Sequence, residues 1–235
     1  MMGKESVMQK KLTDIQNREV TFEKDIEYFK TYPAPLVELL QAQHFTNVNS
    51  TIMSFGPMLY FLVRALGCEQ ILEIGHAEGY TAFYLAHGLK DNALRFGMKG
   101  NMYYGIDIIK TEIVREELRN RGLPSTILNL DSMKLTPETF KDITFDMIFQ
   151  DGNHDAEHVL YELETMYPQL KGKGKGYLVF HDCYGPAEEG FREIIKMIGK
   201  DKKYDFEWIR FDCVYGLAIL RKMEGYDYDK RHWTD

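Results

Sequence analysis

Hydrophobic and polar positions form two patterns along this chain, helical spacing and short apolar runs, and segments with the two patterns alternate. From Phe55 to Leu66 the apolar side chains recur at helical spacing, which predicts an amphipathic helix. Short apolar runs then alternate with further segments of helical spacing, such as the long one that follows His154. Alternation of strand and helix is typical of an α/β protein with a doubly wound, mostly parallel sheet, and we predict a Rossmann-like fold of this kind.

Five apolar runs are predicted as parallel strands, and polar residues stand where each run ends. The residues at these ends are Glu73, Asp107, Asp131-Ser132, Asp151 and His181-Asp182. Neighbouring strands of an open parallel sheet end at one crevice, so we expect these side chains to lie together. The last runs, Phe206 to Phe211 and Val214 to Leu220, predict an antiparallel hairpin at one edge of the sheet.

The chain divides into a predicted N-terminal helical extension at residues 1–50 and one larger domain at residues 51–235. Within the extension, apolar residues between Val20 and Leu40 have loose helical spacing, which a Pro-Ala-Pro segment interrupts. Such a segment can form a contact between subunits or a lid over a ligand, and the sequence leaves both roles open. A homo-oligomer is therefore one expectation.

The turn after the first strand has the composition of a cofactor loop. Gly75 and Gly79 allow the backbone to approach a ligand, and the predicted helix from Tyr80 to Leu89 offers unpaired N–H groups at its start. The turn lacks the third glycine of the dinucleotide fingerprint and the Gly-Lys-Ser/Thr of a P-loop. The polar stretch from Lys90 to Asn101 then predicts a long loop.

Composition and charge narrow the class of ligand. The formal net charge of -7 disfavours a nucleic-acid partner, and no apolar run reaches the ~18 residues that a membrane span needs. The three cysteines are widely spaced, which argues against a disulfide framework or a structural zinc site and favours a reducing cytoplasm. The expected partner is therefore a small molecule, with no nucleic acid and no membrane.

Two of the polar strand ends suit a nucleoside. Asp107 can accept hydrogen bonds from both hydroxyls of a ribose, although an acid at this position can also cap the next helix. Asp131 and Ser132 can hydrogen-bond an adenine edge, although the same pair is typical of a turn. The residues alone leave these alternatives open.

Two further strand ends suit a metal ion and proton transfer. Asp151 and Asp182, with the imidazole of His181, are candidate ligands for Mg²⁺ or another divalent ion, which would lower the pKa of a bound hydroxyl. We predict His154 as the base that removes the proton, because a neutral imidazole accepts protons near physiological pH. His158, one helical turn farther, is predicted on the exposed side of its helix.

These motifs resemble those of class I S-adenosylmethionine-dependent methyltransferases. The segment Glu73-Ile-Gly75-His-Ala-Glu-Gly79-Tyr-Thr81 resembles the first motif of that class. The run Asp151-Gly-Asn-His154, followed by a long helix, a glycine-rich turn and a strand ending in His181-Asp182, is similar to bacterial small-molecule O-methyltransferases of the macrolide-sugar type and, more distantly, to catechol O-methyltransferase.

The resemblance implies a set of site residues. Metal ligands of the family match Asp151 and Asp182, and its base matches His154. We place His181 with the metal ligands. The predicted S-adenosylmethionine-binding residues are Glu73, Gly75, His76, Gly79, Thr81, Asp107, Ile108, Asp131, Ser132 and Asp151.

The chain departs from the family at the third metal ligand. The sugar enzymes carry an acid where His181 stands, and the catechol type carries an asparagine where Cys183 stands. His181 can still coordinate a cation, but an imidazole shifts the preference from Mg²⁺ toward softer divalent ions.

The sequence thus predicts methyl transfer from S-adenosylmethionine to a hydroxyl of a small molecule, assisted by a divalent metal. Two alternatives stay open. A metal-dependent hydrolase would use the same imidazoles and carboxylates, but it would not explain the glycine loop. A methyltransferase-like binding subunit would hold the cofactor and turn nothing over.

Overall fold

The computed structural model describes residues 52–109, 111–184, 188–200, 203–211 and 216–226, with side chains described from Gly56 onward. The predicted extension at residues 1–50 lies outside these ranges, so its two candidate roles stay predictions.

Seven strands and five α-helices make up the described part of the chain. The strands are β1 (Gln70–Ile74), β2 (Met102–Asp107), β3 (Ser125–Asn129), β4 (Met147–Gln150), β5 (Gly176–His181), β6 (Phe206–Phe211) and β7 (Leu217–Lys222). The helices are α1 (Ile52–Leu66), α2 (Tyr80–Phe96), α3 (Thr111–Asn120), α4 (Ala156–Met166) and α5 (Glu188–Lys200). None of these described helices is long and apolar enough to cross a bilayer.

All seven strands form a single sheet in the order β3-β2-β1-β4-β5-β7-β6. Strands β1 to β5 pair in parallel, while β7 lies between β5 and β6 and is antiparallel to both. The predicted mostly parallel sheet with an antiparallel C-terminal hairpin is confirmed. The chain order reverses between β1 and β4, and a doubly wound sheet binds its ligands at the carboxyl ends of the strands beside that reversal.

The two central strands are buried along their length, as expected for a parallel sheet covered on both faces. In β1 the residues from Ile71 to Ile74 are buried, and in β4 all the residues from Met147 to Gln150 are buried. Glu73 and Gln150 are therefore polar groups inside the core. Each needs hydrogen-bond partners there, because an unpaired buried polar group costs free energy.

Helix α2 is longer than the sequence predicted. It continues to Phe96, through most of the stretch from Lys90 to Asn101 that was predicted as a loop. Its polar residues Asp91 and Asn92 are fully buried against α1: the Tyr60 hydroxyl donates to Asp91 Oδ2 at 2.7 Å, and Asn92 Nδ2 donates to the carbonyls of Val63 and Cys68 at 3.0 and 2.9 Å. The loop prediction was wrong because these polar side chains form helix contacts.

The last strand also differs from its prediction in its limits. It was expected at Val214 to Leu220, but β7 runs over Leu217–Lys222, and residues 212–215 lie outside the described ranges. Lys222 extends the strand because its buried ammonium donates to the carbonyls of Tyr167 and Leu170 at 2.8 and 3.0 Å. A charged residue at the end of an apolar run therefore stays in the sheet.

Candidate active site

The carboxyl ends of β1, β2, β3 and β4 enclose a cavity of about 490 Å³. Its volume lies in the range of small-molecule sites, and its position matches the crevice expected for this topology. The predicted cofactor residues that line it are Gly75, Asp107, Ile108, Asp131, Ser132 and Asp151. The remaining predicted cofactor residues, Glu73, His76, Gly79 and Thr81, are not part of the cavity wall among the described residues.

Gly75 permits a close approach between two strand ends. Its φ of +87° lies in the left-handed region, and a Cβ at this position would overlap the carbonyl oxygen of Asp151 and the Cα of Gly152. Only glycine satisfies both conditions without moving the backbone. The cavity floor thus depends on the absence of a side chain at this point.

Asp107 fixes the glycine loop to the end of β2. Its Oδ2 accepts a hydrogen bond from the Ala77 N–H at 2.8 Å, and its Oδ1 accepts one from the Ile109 N–H at 3.0 Å. Ala77 has a φ of 44°, which is strained for a residue with a side chain. The carboxylate therefore compensates for loop strain while it lines the cavity, where its remaining lone pairs can accept further hydrogen bonds.

Asp131 and Ser132 form a turn and also line the cavity. Asp131 caps a short 3₁₀ helix, Ser132–Lys134, by accepting a hydrogen bond from the Met133 N–H at 3.0 Å. Both residues contribute to the cavity wall. The two interpretations of this pair from the sequence are thus compatible, since the turn places Ser132 at the cavity.

Glu73 lies behind the glycine loop, fully buried. Its carboxyl accepts hydrogen bonds from the hydroxyls of Thr81 and Tyr103, which tie β1 to α2 and β2. Burial raises the pKa of Glu73 to about 8, and the two hydrogen bonds only partly oppose this effect. A protonated carboxyl at neutral pH supports the loop without placing a charge in the core.

We expect Glu73 to make the stability of the fold decrease between about pH 4.5 and pH 8. The folded state holds this proton after the unfolded chain has released it, so the stabilisation is complete below pH 4.5 and is lost as the pH rises toward 8. The largest loss that such a shift allows is about 5 kcal/mol. Urea unfolding at several pH values should show this slope in the wild type and not in Glu73→Gln.

The matched control for this experiment is Glu116→Gln, which removes an exposed carboxylate from α3. Its unfolding free energy should follow the wild-type pH dependence. A difference between wild type and Glu73→Gln that stays constant from pH 5 to pH 8 would show that Glu73 does not hold its proton in the fold.

A cluster of two imidazoles and two carboxylates adjoins the cavity at the ends of β4 and β5. His181 Nδ1 lies 2.9 Å from Asp151 Oδ1 and 3.2 Å from Asp182 Oδ1, and His154 Nε2 lies 3.0 Å from Asp182 Oδ2. Asp182 has a φ of 59°, an uncommon conformation for a residue other than glycine. The strained backbone turns its carboxylate between the two imidazoles.

Hydrogen bonding and burial perturb the titration of this cluster. The hydrogen bond to Asp182 raises the pKa of His154. Burial lowers the pKa of His181, but its hydrogen bond to Asp151 and the two nearby carboxylate charges outweigh burial, and the pKa is raised. Burial raises the pKa of the Asp151 carboxyl, against the effect of His181. Protons and a divalent cation would therefore compete for the same groups.

Three of these side chains could hold a metal ion together. One ligand atom from each of Asp151, His181 and Asp182 lies within 4.8 Å of the others, and these are the predicted metal ligands. Two carboxylate oxygens and one imidazole nitrogen suit a divalent cation of intermediate hardness, such as Mn²⁺, as well as Mg²⁺. The donor set therefore fits the ion that the sequence predicted.

Two polar side chains of the cavity wall were not predicted from the sequence. Asn153 and His158 both line the cavity, and Asn153 Nδ2 lies 3.3 Å from each ring nitrogen of His158. The prediction that His158 lies on the exposed side of α4 was wrong, because the start of this helix faces the cavity and leaves His158 half-buried. The four-residue spacing from His154 was the available signal.

Comparisons with known proteins agree with this architecture. Residues 72–183 match the model of a family described as "Methyltransferase domain". No protein in a search of curated sequences matches the chain. The matched segment runs from β1 to the residue after Asp182 and thus includes the glycine loop and the cluster.

Several solved structures share the fold. An O-methyltransferase from Bacillus cereus in complex with S-adenosylhomocysteine (SAH) has 20% identity and a TM-score of 0.57, over 80% of this chain and 91% of that one. The O-methyltransferase TomG from Streptomyces achromogenes, in complex with S-adenosylmethionine, has 18% identity and a TM-score of 0.53, over 72% and 79%. A methyltransferase from Geobacter sulfurreducens has 18% identity and a TM-score of 0.57, over 81% and 88%.

Proposed function

We propose that this chain, which has the class I methyltransferase fold and carries a methyltransferase domain, transfers a methyl group from S-adenosylmethionine to a hydroxyl of a small molecule. The observation that carries the proposal is the double role of Asp151. It lines the cofactor-sized cavity, and its carboxylate also contacts His181 in the imidazole–carboxylate cluster. The donor and the base would therefore meet at the end of β4.

The cavity offers suitable groups for each part of the cofactor. Gly75 lines the cavity where the amino-acid portion would lie, Asp107 can accept from the ribose hydroxyls, and Ser132 stands where an adenine edge would lie. The two proteins of similar fold whose structures contain S-adenosylmethionine or SAH support this choice of ligand. Methyl transfer needs little more than alignment of donor and acceptor, and a preformed cavity supplies it.

His154 is the general base in this proposal. Its Nε2 faces Asp182 at 3.0 Å, so in the neutral imidazole Nε2–H donates to that carboxylate and Nδ1 is left to accept a proton. Asp182 then orients the ring and stabilises the imidazolium that forms, as the carboxylate of a catalytic triad does. The acceptor hydroxyl would lose its proton to His154 Nδ1 as its oxygen takes the methyl group.

A divalent cation is the second part of the proposal. Asp151, His181 and Asp182 would hold it, and a bound cation would lower the pKa of the acceptor hydroxyl. We further infer a small-molecule acceptor in a reducing, cytoplasmic setting, since the acidic net charge of -7 and the widely spaced cysteines favour neither nucleic acid nor an oxidising compartment.

Turnover in the presence of candidate acceptors tests the function. Chelator-treated protein should be mixed with S-adenosylmethionine and panels of phenols, sugars and hydroxy acids, with and without Mg²⁺ or Mn²⁺, and SAH should be measured. We expect acceptor-dependent SAH that increases with metal in the wild type, and a loss of at least about tenfold in Asp182→Asn, which removes a ligand charge.

Asp142→Asn is the matched control. Asp142 is exposed and has a φ of 65°, close to that of Asp182, so the substitution makes the same chemical change in the same backbone conformation outside the cavity. If the protein binds SAH but produces no SAH from S-adenosylmethionine with any of the acceptors, the proposed enzymatic activity is contradicted. That result would favour a methyltransferase-like binding subunit without turnover. Hydrolysis without cofactor binding would favour the hydrolase.

A further inference from the structure

Strand β7 links the imidazole–carboxylate cluster to the edge strand β6. His181, the last residue of β5, lies opposite Leu217 of β7. The next residue of the chain, Asp182, therefore lies beside Gly216, which directly precedes β7. On its other side β7 pairs with β6, whose last residue also lies opposite Leu217. The carboxyl end of β6 is thus at the same edge of the sheet as the cluster.

The Tyr184 ring lies over the backbone of Gly216. A Cβ on Gly216 would overlap Cδ2 of that ring, and its φ of +80° is one that side chains rarely adopt, so glycine permits this packing. Arg210, the penultimate residue of β6, holds its guanidinium carbon 3.9 Å from the centre of the same ring. The guanidinium therefore stands about two strand spacings, or roughly 10 Å, from Asp182.

The stacked guanidinium keeps its N–H groups for a ligand. Stacking uses the face of the group, whereas its donors lie along the edge, in a planar fork that matches a carboxylate. Arg210 is exposed, and no ion pair joins it to an acid within the part of the chain that the structure describes, whereas Arg221 on β7 pairs with Glu207 at 3.9 Å. An anionic group of a bound molecule can therefore take this position.

The charges at this edge of the sheet favour one direction for an acidic acceptor. Asp151 and Asp182 would repel a carboxylate at the cluster, while a hydroxyl there can give its proton to His154. The described wall of the cofactor cavity contains no lysine or arginine, so it offers an acidic acceptor no cation. Arg210 attracts the carboxylate instead, and the hydroxyl is left at the cluster.

We propose that Arg210, held on the Tyr184 ring, binds the carboxylate of the methyl acceptor and thereby selects hydroxy acids whose hydroxyl and carboxylate are roughly 10 Å apart. The inference rests on the proposed methyl transfer and names its substrate class. A forked arginine–carboxylate pair fixes direction as well as affinity. Arg210 does not touch the reacting atoms, so it acts on acceptor binding.

The test compares phenolic acids with their primary amides, which have the same shape and no charge. The acids are para-hydroxybenzoate, para-hydroxyphenylacetate and para-hydroxyphenylpropanoate, and SAH formed from S-adenosylmethionine is measured with Mg²⁺ or Mn²⁺ present. In the wild type we expect kcat/KM to favour the propanoate over its amide at least about fivefold at low salt, since its carboxylate is farthest from the hydroxyl. The preference should weaken for the shorter acids and at high salt.

Arg210→Met, which keeps an unbranched stem but removes the charge, should abolish the preference. The KM for the propanoate should rise about fivefold at unchanged kcat, while both values for the amide stay within about twofold. Arg210→Lys keeps the charge without the planar fork and should retain part of the preference. Arg119→Met, the matched control, removes an exposed arginine from the last turn of α3 and should behave as the wild type.

The possible failures of this test are distinguishable. Wild type that forms no SAH from these acceptors or from the wider panel of phenols, sugars and hydroxy acids would defeat the proposed methyl transfer itself. Wild type that methylates acceptors without favouring the acids over their amides would overturn this inference alone. Equal losses for acid and amide in Arg210→Met would overturn it as well, because they would indicate that Arg210 only packs on Tyr184.

Discussion

Gly75→Ala is expected to weaken SAH binding by at least about a hundredfold, since a Cβ there would force apart the ends of β1 and β4. The added methyl overlaps backbone atoms of Asp151 and Gly152, which cannot rotate away as a side chain can. Both of those residues line the cavity, so the displacement falls on the ligand site. Titration calorimetry with SAH measures the effect.

Gly97→Ala is the matched control for this substitution. Gly97 also has a left-handed φ, +64°, but a Cβ there meets no atom within 4 Å. Its replacement should cost about 1 kcal/mol of stability and leave the affinity for SAH unchanged. If both alanine variants bind SAH like the wild type, the close approach at Gly75 is not part of the cofactor site.

His154→Gln is expected to reduce turnover by about 10² to 10⁴-fold while SAH binds within about twofold of wild type, as the loss of a general base requires. The side chain contacts Asp182 and is not part of the cavity wall, so removal of the imidazole should spare cofactor binding. The remaining rate should depend on the acceptor: acidic phenols, which lose their proton readily, should be affected least.

His87→Gln removes an imidazole from α2, away from the cavity, and should keep wild-type turnover. Equal losses for acidic and weakly acidic acceptors in His154→Gln would argue against proton abstraction and for a purely steric role of the residue. If His154→Gln lost SAH affinity as well as turnover, His154 would belong to the cofactor site instead.

The sequence predicted the strands and their polar ends well because each signal is local. Apolar runs such as those before Asp107 and Asp151 have the length of buried strands, and parallel topology then brings their ends to one crevice. The resemblance added the role of the glycine loop, and the family match over residues 72–183 supports it. The roles of the individual site residues stay predictions.

The sequence could not show where polar side chains find partners inside the fold. Asp91 and Asn92 were interpreted as loop residues, but their hydrogen bonds to α1 and to Cys68 just after it join residues that are 24 to 31 positions apart. The same limit applies to Glu162, which lies in the middle of a helix and meets Gln150 only after α4 packs on the sheet. Such pairings depend on tertiary structure, which local patterns do not encode.

His181 is the residue at which the chain departs most from the proteins that it resembles, and the structure gives the departure a chemical meaning. Its imidazole bridges Asp151 and Asp182. Where a third carboxylate would repel these two acids, a protonated imidazole offsets part of their negative charge. A divalent ion must then displace a proton, and we propose that the metal requirement is correspondingly dependent on pH and on the softness of the ion.

The most direct test of the proposed cofactor site is titration of the chelator-treated wild-type protein with SAH, repeated after addition of Mg²⁺ and then Mn²⁺. We expect micromolar binding in all three conditions, because the groups proposed to contact the cofactor lie along the cavity and need no cation to hold them there. The affinity should fall sharply in Asp107→Ala, which releases the Ala77 amide and removes the acceptor for the ribose. Absence of SAH binding in every condition would contradict the methyltransferase function and leave the imidazole–carboxylate cluster to a different reaction.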